Sequence, residues 1–151
     1  MLETTETSVP IVSLPDAEGA EVNVLDGRTR IMVRPDQVNG AYAILEQVIP
    51  PGKGPPLHVH RHETEVFYIV EGTFEFRVAG DTLVVGPGAN VLGPRDIPHT
   101  FRNVGETPGR LVLTIIPGRF GNYFIEVDAV KDHDRETIKA LTGKYDVEIL
   151  E

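Results

Sequence analysis

The sequence predicts an all-β fold, a barrel or a sandwich, followed by one short C-terminal helix. Between about residue 11 and residue 117, short apolar or alternating runs are separated by turn residues such as Gly, Pro, Asn and Asp. Turn signals about every eight to twelve residues are typical of such folds. Glycine (15) and proline (12) are frequent, as expected for a chain with many turns. No fixed-period repeat occurs, which argues against a propeller or a solenoid.

The predicted strands are short, and turn residues bound each of them. In chain order they are EVNVL (21–25), TRIMV (29–33), AYAILEQVI (41–49), LHVH (57–60), VFYIV (66–70), TFEFRV (73–78), TLVV (82–85), NVLG (90–93), HTFRNV (99–104) and RLVLTII (110–116). A chain of 151 residues is long enough for one domain with a substantial core. We expect an N-terminal arm over 1–19, the barrel over 20–125, and a C-terminal helix and tail over 126–151.

The C-terminal part has the pattern of a helix. In DHDRETIKALTGK (132–144), Asp134 can cap the helix, Ile138 and Leu141 form an apolar stripe, and Gly143 lies where a helix is expected to stop. The following KYDVEILE is predicted to be extended. Between barrel and helix, residues 117–130 bring Phe120, Tyr123 and Phe124 close together. This segment is expected to be either a lid over the barrel or an aromatic plug or dimer contact.

Composition excludes several classes of function. The net charge of −9 argues against nucleic acid or an anionic membrane as a partner. The chain has no cysteine, which removes disulfides, thiolate metal sites and cysteine nucleophiles. The N-terminal residues have neither a basic region nor an apolar run, so we expect no signal peptide and a cytoplasmic protein.

Three of the five histidines lie in one short stretch, GKGPPLHVHRHETEVFYIVEG (52–72). Alternate side chains of a strand share a face, so His58 and His60 point the same way. After a turn, Glu65 opens the next strand and can face back toward them. Two imidazoles and one carboxylate with open positions suit a divalent transition metal. The alternative is an exposed polar hairpin whose histidines bind nothing.

A second stretch, GANVLGPRDIPHTFRN (88–103), favours the metal site. His99 follows a proline-containing turn and begins a strand in which Phe101 and Asn103 share its face. Alone, such a histidine would be expected to be structural.

Together the two stretches resemble the cupin superfamily. The first follows the cupin pattern G(X)5HXH(X)3–4E(X)6G through Gly52, His58, His60, Glu65 and Gly72. The second follows G(X)5PXG(X)2H(X)3N through Gly88, Pro94, His99 and Asn103. The departure is Asp96, where the pattern has glycine. Since Asp tolerates left-handed backbone better than most residues, we expect the turn to survive.

The resemblance implies a cupin jelly-roll β-barrel (a double-stranded β-helix) with one divalent transition metal inside, namely Fe, Mn, Ni, Co, Cu or Zn. The residues that match the family's metal ligands are His58, His60, Glu65 and His99. His62 matches no ligand and is expected to be a turn histidine, with a supporting or proton-handling role as the alternative. The resemblance also implies a homodimer.

The expected function follows from small bacterial cupins that are similar to quercetin dioxygenases. That likeness implies a metal-dependent dioxygenase with a small aromatic, flavonol-like substrate, in which Glu65 is both a ligand and the catalytic base. Strand parity and aromatic character suggest as pocket residues Phe67, Ile69, Phe101, Tyr42 and Phe76, although the face of the last two is left open.

Two other functions are compatible with the sequence. One is a non-catalytic metal or small-molecule binding cupin. The other is a sugar or keto-acid isomerase or epimerase, against which the absence of lysine between residues 54 and 130 counts.

Overall fold

The computed structural model describes residues 11–15, 21–24, 27–131 and 133–151. Within them the chain forms eleven β-strands, a turn of 3-10 helix at Pro35–Val38 and two α-helices. The strands are β1 (Glu21–Val24), β2 (Gly27–Val33), β3 (Ala43–Ile49), β4 (His58–His60), β5 (Thr64–Glu71), β6 (Phe74–Val78), β7 (Asp81–Val85), β8 (Asn90–Gly93), β9 (His99–Asn103), β10 (Gly109–Ile116) and β11 (Val147–Ile149). The helices are α1 (Gly121–Ala129) and α2 (Arg135–Lys144).

Two antiparallel sheets form the barrel, and this confirms the predicted all-β jelly roll. One sheet has the order β1-β2-β3-β10-β5-β8, and the other has the order β11-β4-β9-β6-β7. Strands that are distant in sequence are neighbours, as in the pairing of β10 with both β3 and β5. The two sheets therefore bring β4 and β9 opposite β5, and these three strands carry the predicted metal ligands.

Strand alternation decides which side chains fill the barrel. In β3, Ala43, Leu45 and Ile49 are buried, while Ile44 and Glu46 are only partly covered. A cluster of phenylalanine rings joins the two sheets, because Phe67 lies 5.3 Å from Phe76 and 5.4 Å from Phe101 between ring centroids. Aromatic packing at these separations holds the sheets together below the metal ligands.

The predicted C-terminal helix and extended tail are confirmed. The side chain of Asp134 caps α2 by accepting a hydrogen bond of 2.7 Å from the backbone N–H of Thr137, and α2 continues one residue beyond Gly143 to Lys144. The chain then returns as β11, which pairs with β4 so that Val147 is opposite His60 and Ile149 is opposite His58. The C-terminal strand thus borders the strand that carries two of the histidines.

A second helix, α1, forms within the segment that was expected to be a lid or a plug. Phe120, Tyr123, Phe124 and Val127 are all buried against the barrel. Their spacing matches one face of an amphipathic helix, and this face anchors α1. The aromatic residues therefore pack as a plug at the end of the barrel.

The turn before β9 keeps its shape although Asp96 replaces glycine. Asp96 has a φ of 65°, in the left-handed region, as expected from its tolerance of that conformation. Its backbone N–H donates a hydrogen bond of 2.8 Å to the carbonyl of His60. The turn therefore ties together the two segments that carry the histidines.

Parts of the predicted N-terminal arm, 1–10 and 16–19, lie outside the described residues. The limits of the three predicted segments and the homodimer remain predictions. Among the described residues, no helix is long and apolar enough to cross a membrane.

Candidate metal centre

Four side chains from the two sheets meet inside the barrel. His58 and His60 lie on β4, and His99 on β9 pairs directly with His58. Glu65 faces them from β5 in the other sheet, where its strand partner is Gly93 on β8. One ligand atom from each of His58, His60, Glu65 and His99 lies within 4.8 Å of the other three. The structure thus brings together the four predicted metal ligands.

The carboxylate of Glu65 stands close to all three imidazoles. Its Oε1 lies 2.7 Å from Nε2 of His60, 2.9 Å from Nε2 of His99 and 3.8 Å from Nε2 of His58. The side chains of His60, His99 and Glu65 are at most 4% exposed, and that of His58 is 12% exposed. His58 is therefore the histidine through which the cluster opens.

The outer nitrogens of two histidines are held by backbone carbonyls. Nδ1 of His58 lies 2.8 Å from the carbonyl oxygen of Pro56, and Nδ1 of His99 lies 3.0 Å from that of Ile97. A carbonyl only accepts hydrogen bonds, so each Nδ1 carries the proton and donates it. In the neutral tautomer, each Nε2 then presents a lone pair to the centre, which is the form that binds a metal.

His60 is held by a carboxylate instead. Its Nδ1 lies 3.3 Å from Oε2 of Glu63, a side chain that is itself 1% exposed. Its Nε2, although close to Glu65, makes no hydrogen bond of acceptable direction and is buried without a partner among the described groups. A buried polar atom without a partner is costly. A cation at the centre would satisfy it together with the other three ligand atoms, so the residues present fit a metal ion.

The electrostatics of the cluster favour a cation as well. Burial opposes the charge on Glu65, but the positive charge of a protonated His60 and the close approach of the three imidazoles hold the pKa of the Glu65 carboxyl well below its usual range. Burial likewise opposes protonation of His60, yet Glu65 and Glu63 raise the pKa of its imidazole to about 9. Two carboxylates that face one buried imidazole thus stabilise a positive charge at this point, either a proton on His60 or a metal ion.

A cavity of about 90 Å³ opens directly beside Glu65 and His58. Phe67, Phe101 and Leu113 from the barrel form one side, and α1 and α2 cover the other. The cavity-lining residues are Val24, Gln47, Ile49, Gly54, Pro55, Pro56, His58, Glu65, Phe67, Phe101, Leu113, Phe120, Tyr123, Phe124, Ile138, Thr142, Val147 and Ile149. The walls are therefore largely apolar and aromatic.

The suggested pocket residues lie in different places. Phe67 and Phe101 line the cavity, whereas Ile69 and Phe76 are completely buried in the core and do not belong to the cavity wall. Tyr42 precedes β3 and lies at the surface, 38% exposed. The alternation of β3 turns Ala43 and Leu45 inward, which leaves Tyr42 on the outer side.

His62 lies away from the metal ligands. Its Nε2 is 2.9 Å from a carboxylate oxygen of Asp146, and both side chains are more than half exposed. This contact joins the turn between β4 and β5 to the turn before β11.

Sequence reasoning missed Glu63, Gln47 and the cavity wall that α1 and α2 supply. Glu63 shares the strand parity of Glu65, which was the available signal for an inward side chain. For α1, the signal was the helical spacing of Phe120, Tyr123, Phe124 and Val127.

Comparison with known families agrees with this geometry, because residues 45–116 match the family described as cupin domain. The chain contains a cupin domain. The matched range runs from β3 through β10 and includes all four ligands, so the family match and the metal centre coincide.

Known proteins similar to this cupin have diverse names. It is 30% identical over 94 residues to the mannose-1-phosphate guanylyltransferase of Escherichia coli, a match that covers 62% of this chain and 19% of the relative. It is 26% identical over 124 residues to the quercetin 2,3-dioxygenase of Bacillus subtilis, covering 82% of this chain and 36% of the relative. This cupin thus spans only part of these longer relatives.

Among solved structures, an RmlC-like cupin from Shewanella frigidimarina has a TM-score of 0.63 and 22% sequence identity, covering 76% of this chain and 96% of that one. At this identity the likeness establishes the cupin fold alone.

Proposed function

We propose that this cupin is a metal-dependent dioxygenase that acts on a small aromatic substrate. The observation that carries the proposal is the position of the four-ligand centre at the end of an aromatic-walled cavity. An aromatic hydroxyl compound that enters this cavity would reach the metal through the side where His58 and Glu65 line the wall.

The four residues of the centre would have two different roles. His58, His60 and His99 would hold the metal, with their outer nitrogens fixed as described above. The metal would supply Lewis acidity and a site for O₂ or the substrate oxygen. Glu65 is ionised at neutral pH because its pKa is lowered, so it would accept a proton from a substrate hydroxyl. A carboxylate of low pKa takes that proton only if the hydroxyl has been made more acidic, so this role depends on the metal.

The cavity wall would orient the ring and exclude water. Phe67 and Phe101 present their rings from the barrel, and Phe120 and Tyr123 present theirs from the region of α1. Such walls favour stacking against a flat apolar molecule. Water exclusion also strengthens the electrostatic interactions of Glu65 and the histidines.

Cavity size favours a one-ring substrate over a larger one. A cavity of roughly 150 Å³ holds a molecule of benzene in a well-studied protein, and the present cavity is about 90 Å³. A three-ring flavonol would enter only if the loop 52–56 or α2 moved outward, whereas a single ring with adjacent hydroxyls needs a smaller displacement.

Likeness to the Bacillus subtilis quercetin 2,3-dioxygenase supports the same class of reaction. Likeness to the Escherichia coli guanylyltransferase raises sugar phosphates as an alternative. None of the described residues that line the cavity is a lysine or an arginine, so the cavity offers no obvious cation for a phosphate group. The non-catalytic binding cupin has the same metal centre and differs only in turnover.

The test measures metal content and O₂ uptake on the purified protein. We expect about one transition metal ion per chain and uptake of one O₂ per molecule of a catechol-like compound, since both oxygen atoms enter the product. The doubly substituted His58→Ala/His99→Ala protein should lose the metal and the uptake. His62→Ala/His133→Ala, which changes two exposed histidines, should keep both. Metal without uptake across catechols and flavonols would favour the binding cupin, and conversion of a hexose phosphate without O₂ would favour the isomerase.

A further inference from the structure

Glu63 is a buried carboxylate that the proposed reaction does not use. It lies in the turn between β4 and β5, two residues before Glu65, and it is 1% exposed. Burying a carboxylate is costly unless the charge is paired. Among the described residues, its ion-pair partner is the completely buried His60, with Oε2 3.3 Å from Nδ1.

Among the described residues, the two basic side chains next to Glu63 in this turn, Arg61 and His62, form ion pairs with other groups. Arg61, two residues earlier, points outward and pairs with Glu148 at 2.9 Å and with Asp96 at 3.5 Å. His62 pairs with Asp146. The exposed part of the turn is thus tied to the C-terminal segment, while Glu63 alone turns inward toward the metal centre.

The three histidines differ in what holds them. His58 and His99 donate to neutral backbone carbonyls, but His60 meets a full negative charge. A carboxylate on the far nitrogen fixes the tautomer and makes the imidazole a stronger electron donor to a metal. The centre therefore contains two buried carboxylates, Glu65 inside it and Glu63 behind it, and their combined charge of about −2 matches a divalent cation.

We propose that Glu63 is a positioning residue for the metal, which holds His60 in its metal-binding tautomer and contributes the second negative charge that selects a divalent ion. The inference rests on the metal-binding part of the proposed function and is independent of dioxygenase activity. Removal of such supporting carboxylates commonly costs about 10- to 100-fold in metal affinity.

Co(II) is a suitable probe, because its absorption spectrum reports ligand geometry and strength. Affinity would be measured by competition with a chelator for the wild type, Glu63→Gln and Glu71→Gln. The last variant is a matched control at an exposed position at the end of β5. We expect Glu63→Gln to bind Co(II) about 10- to 100-fold more weakly and to shift the absorption bands, while Glu71→Gln matches the wild type. Chemical denaturation of the metal-free proteins should show that Glu63→Gln is folded.

A second measurement needs no variant. In the Zn(II)-loaded wild type, the Nδ1–H proton of His60 should resonate downfield of those of His58 and His99, because its acceptor is a carboxylate. Equal Co(II) affinity and an unchanged spectrum in Glu63→Gln would overturn the proposal, and so would a His60 Nδ1–H signal no further downfield than the other two. Failure of the wild type to bind Co(II) would overturn the metal centre together with it. Tight binding without O₂ uptake would overturn only the dioxygenase.

Discussion

Phe120 stands edge-on against His60, with ring centroids 4.6 Å apart and ring planes at 80°. The same phenylalanine stacks on Tyr123 at 4.9 Å and meets Tyr145 at 5.8 Å. A ligand of the candidate metal centre is thus in direct contact with the aromatic group that anchors α1 and the C-terminal segment. The region of α1 and the C-terminal segment therefore help to position a metal ligand, although they lie outside the central barrel.

Replacement of Phe120 by alanine should therefore affect both folding and metal binding. Truncating a buried phenylalanine costs about 3–5 kcal/mol of unfolding free energy, and His60 would lose the ring that limits its rotation. We expect chemical denaturation to show the loss of stability and chelator competition to show weaker metal binding. Phe124→Ala is the control, because Phe124 is equally buried at 5% exposure and packs on Phe120 rather than on a ligand. If both variants reduced metal affinity equally, the contact between Phe120 and His60 would have no special role.

Much of the metal centre could be predicted from the sequence because it depends on local periodicity. The spacing of His58 and His60 places both on one face of a strand, and Glu65 opens the next strand with its side chain inward. Which strand lies opposite which depends on long-range pairing, and here the family resemblance supplied the arrangement. His99, for example, could be joined to the other ligands only through that resemblance.

Other features could not be predicted in this way, and the reasons differ. Glu63 is polar and lies in a turn, where exposure is the ordinary expectation, and only the folded structure shows that it turns inward to pair with His60. α1 begins at a glycine after a proline-containing segment, so the turn signals concealed the helical spacing of Phe120, Tyr123 and Val127. Tyr42 was assigned to the pocket by its aromatic character, but the pairing of β3 decided its direction.

Gly93 leaves space for the imidazole ring of His99, one of the predicted metal ligands. Replacing Gly93 tests how tightly this ring is held. A Cβ atom at Gly93 would lie 3.0–3.2 Å from three atoms of the His99 ring, which is closer than ordinary contact. Because the carbonyl of Ile97 holds the other side of that ring, we expect Gly93→Ala to displace the imidazole and reduce Co(II) affinity about tenfold.

The control for this prediction is Gly86→Ala, where the nearest atom would be 3.9 Å from the added Cβ. Metal titration and denaturation would be compared for both variants. Unchanged Co(II) affinity in Gly93→Ala would mean that His99 can shift at no cost and that the close approach to β8 does not define the site.

The C-terminal strand should support the ligands on β4. β4 has three paired positions with β11 but only one with β9, and the backbone N–H of Leu150 donates a hydrogen bond of 2.8 Å to the carbonyl of Leu57, just before His58. Leu150→Pro removes this donor. We expect Leu150→Pro to weaken metal binding more than Leu150→Ala does. Leu150→Ala is the control because it also shortens this side chain, which is 42% exposed, but keeps the backbone N–H.

Hydrogen exchange would report the same effect in the metal-free protein. Amides of β4 should exchange faster in Leu150→Pro than in Leu150→Ala. Equal metal affinity and equal protection of β4 in the two variants would show that β11 covers the cavity without supporting the ligands.

Metal uptake should release a proton from His60, and this makes binding depend on pH. The pKa of His60 is raised to about 9 in the metal-free protein, above its ordinary value of about 6.5. The pairing of protonated His60 with Glu65 and Glu63 therefore stabilises the folded, metal-free protein fully below about pH 6.5, and this stabilisation is lost as the pH rises through about 9. A metal must displace that proton, so the apparent affinity should rise by up to about tenfold per pH unit as the pH approaches 9.

Calorimetric titration with Co(II) at pH 7.5, in two buffers with different ionisation enthalpies, measures the protons released. We expect a difference in binding heat that corresponds to about one proton per metal ion. His62→Ala serves as the control, because His62 is exposed and pairs only with Asp146 among the described residues, so its loss should leave this number unchanged. Binding heats that are independent of the buffer would contradict the prediction, because they would show that His60 is already neutral before the metal binds. The negative charges of Glu63 and Glu65 would then not be balanced by a proton in the metal-free protein.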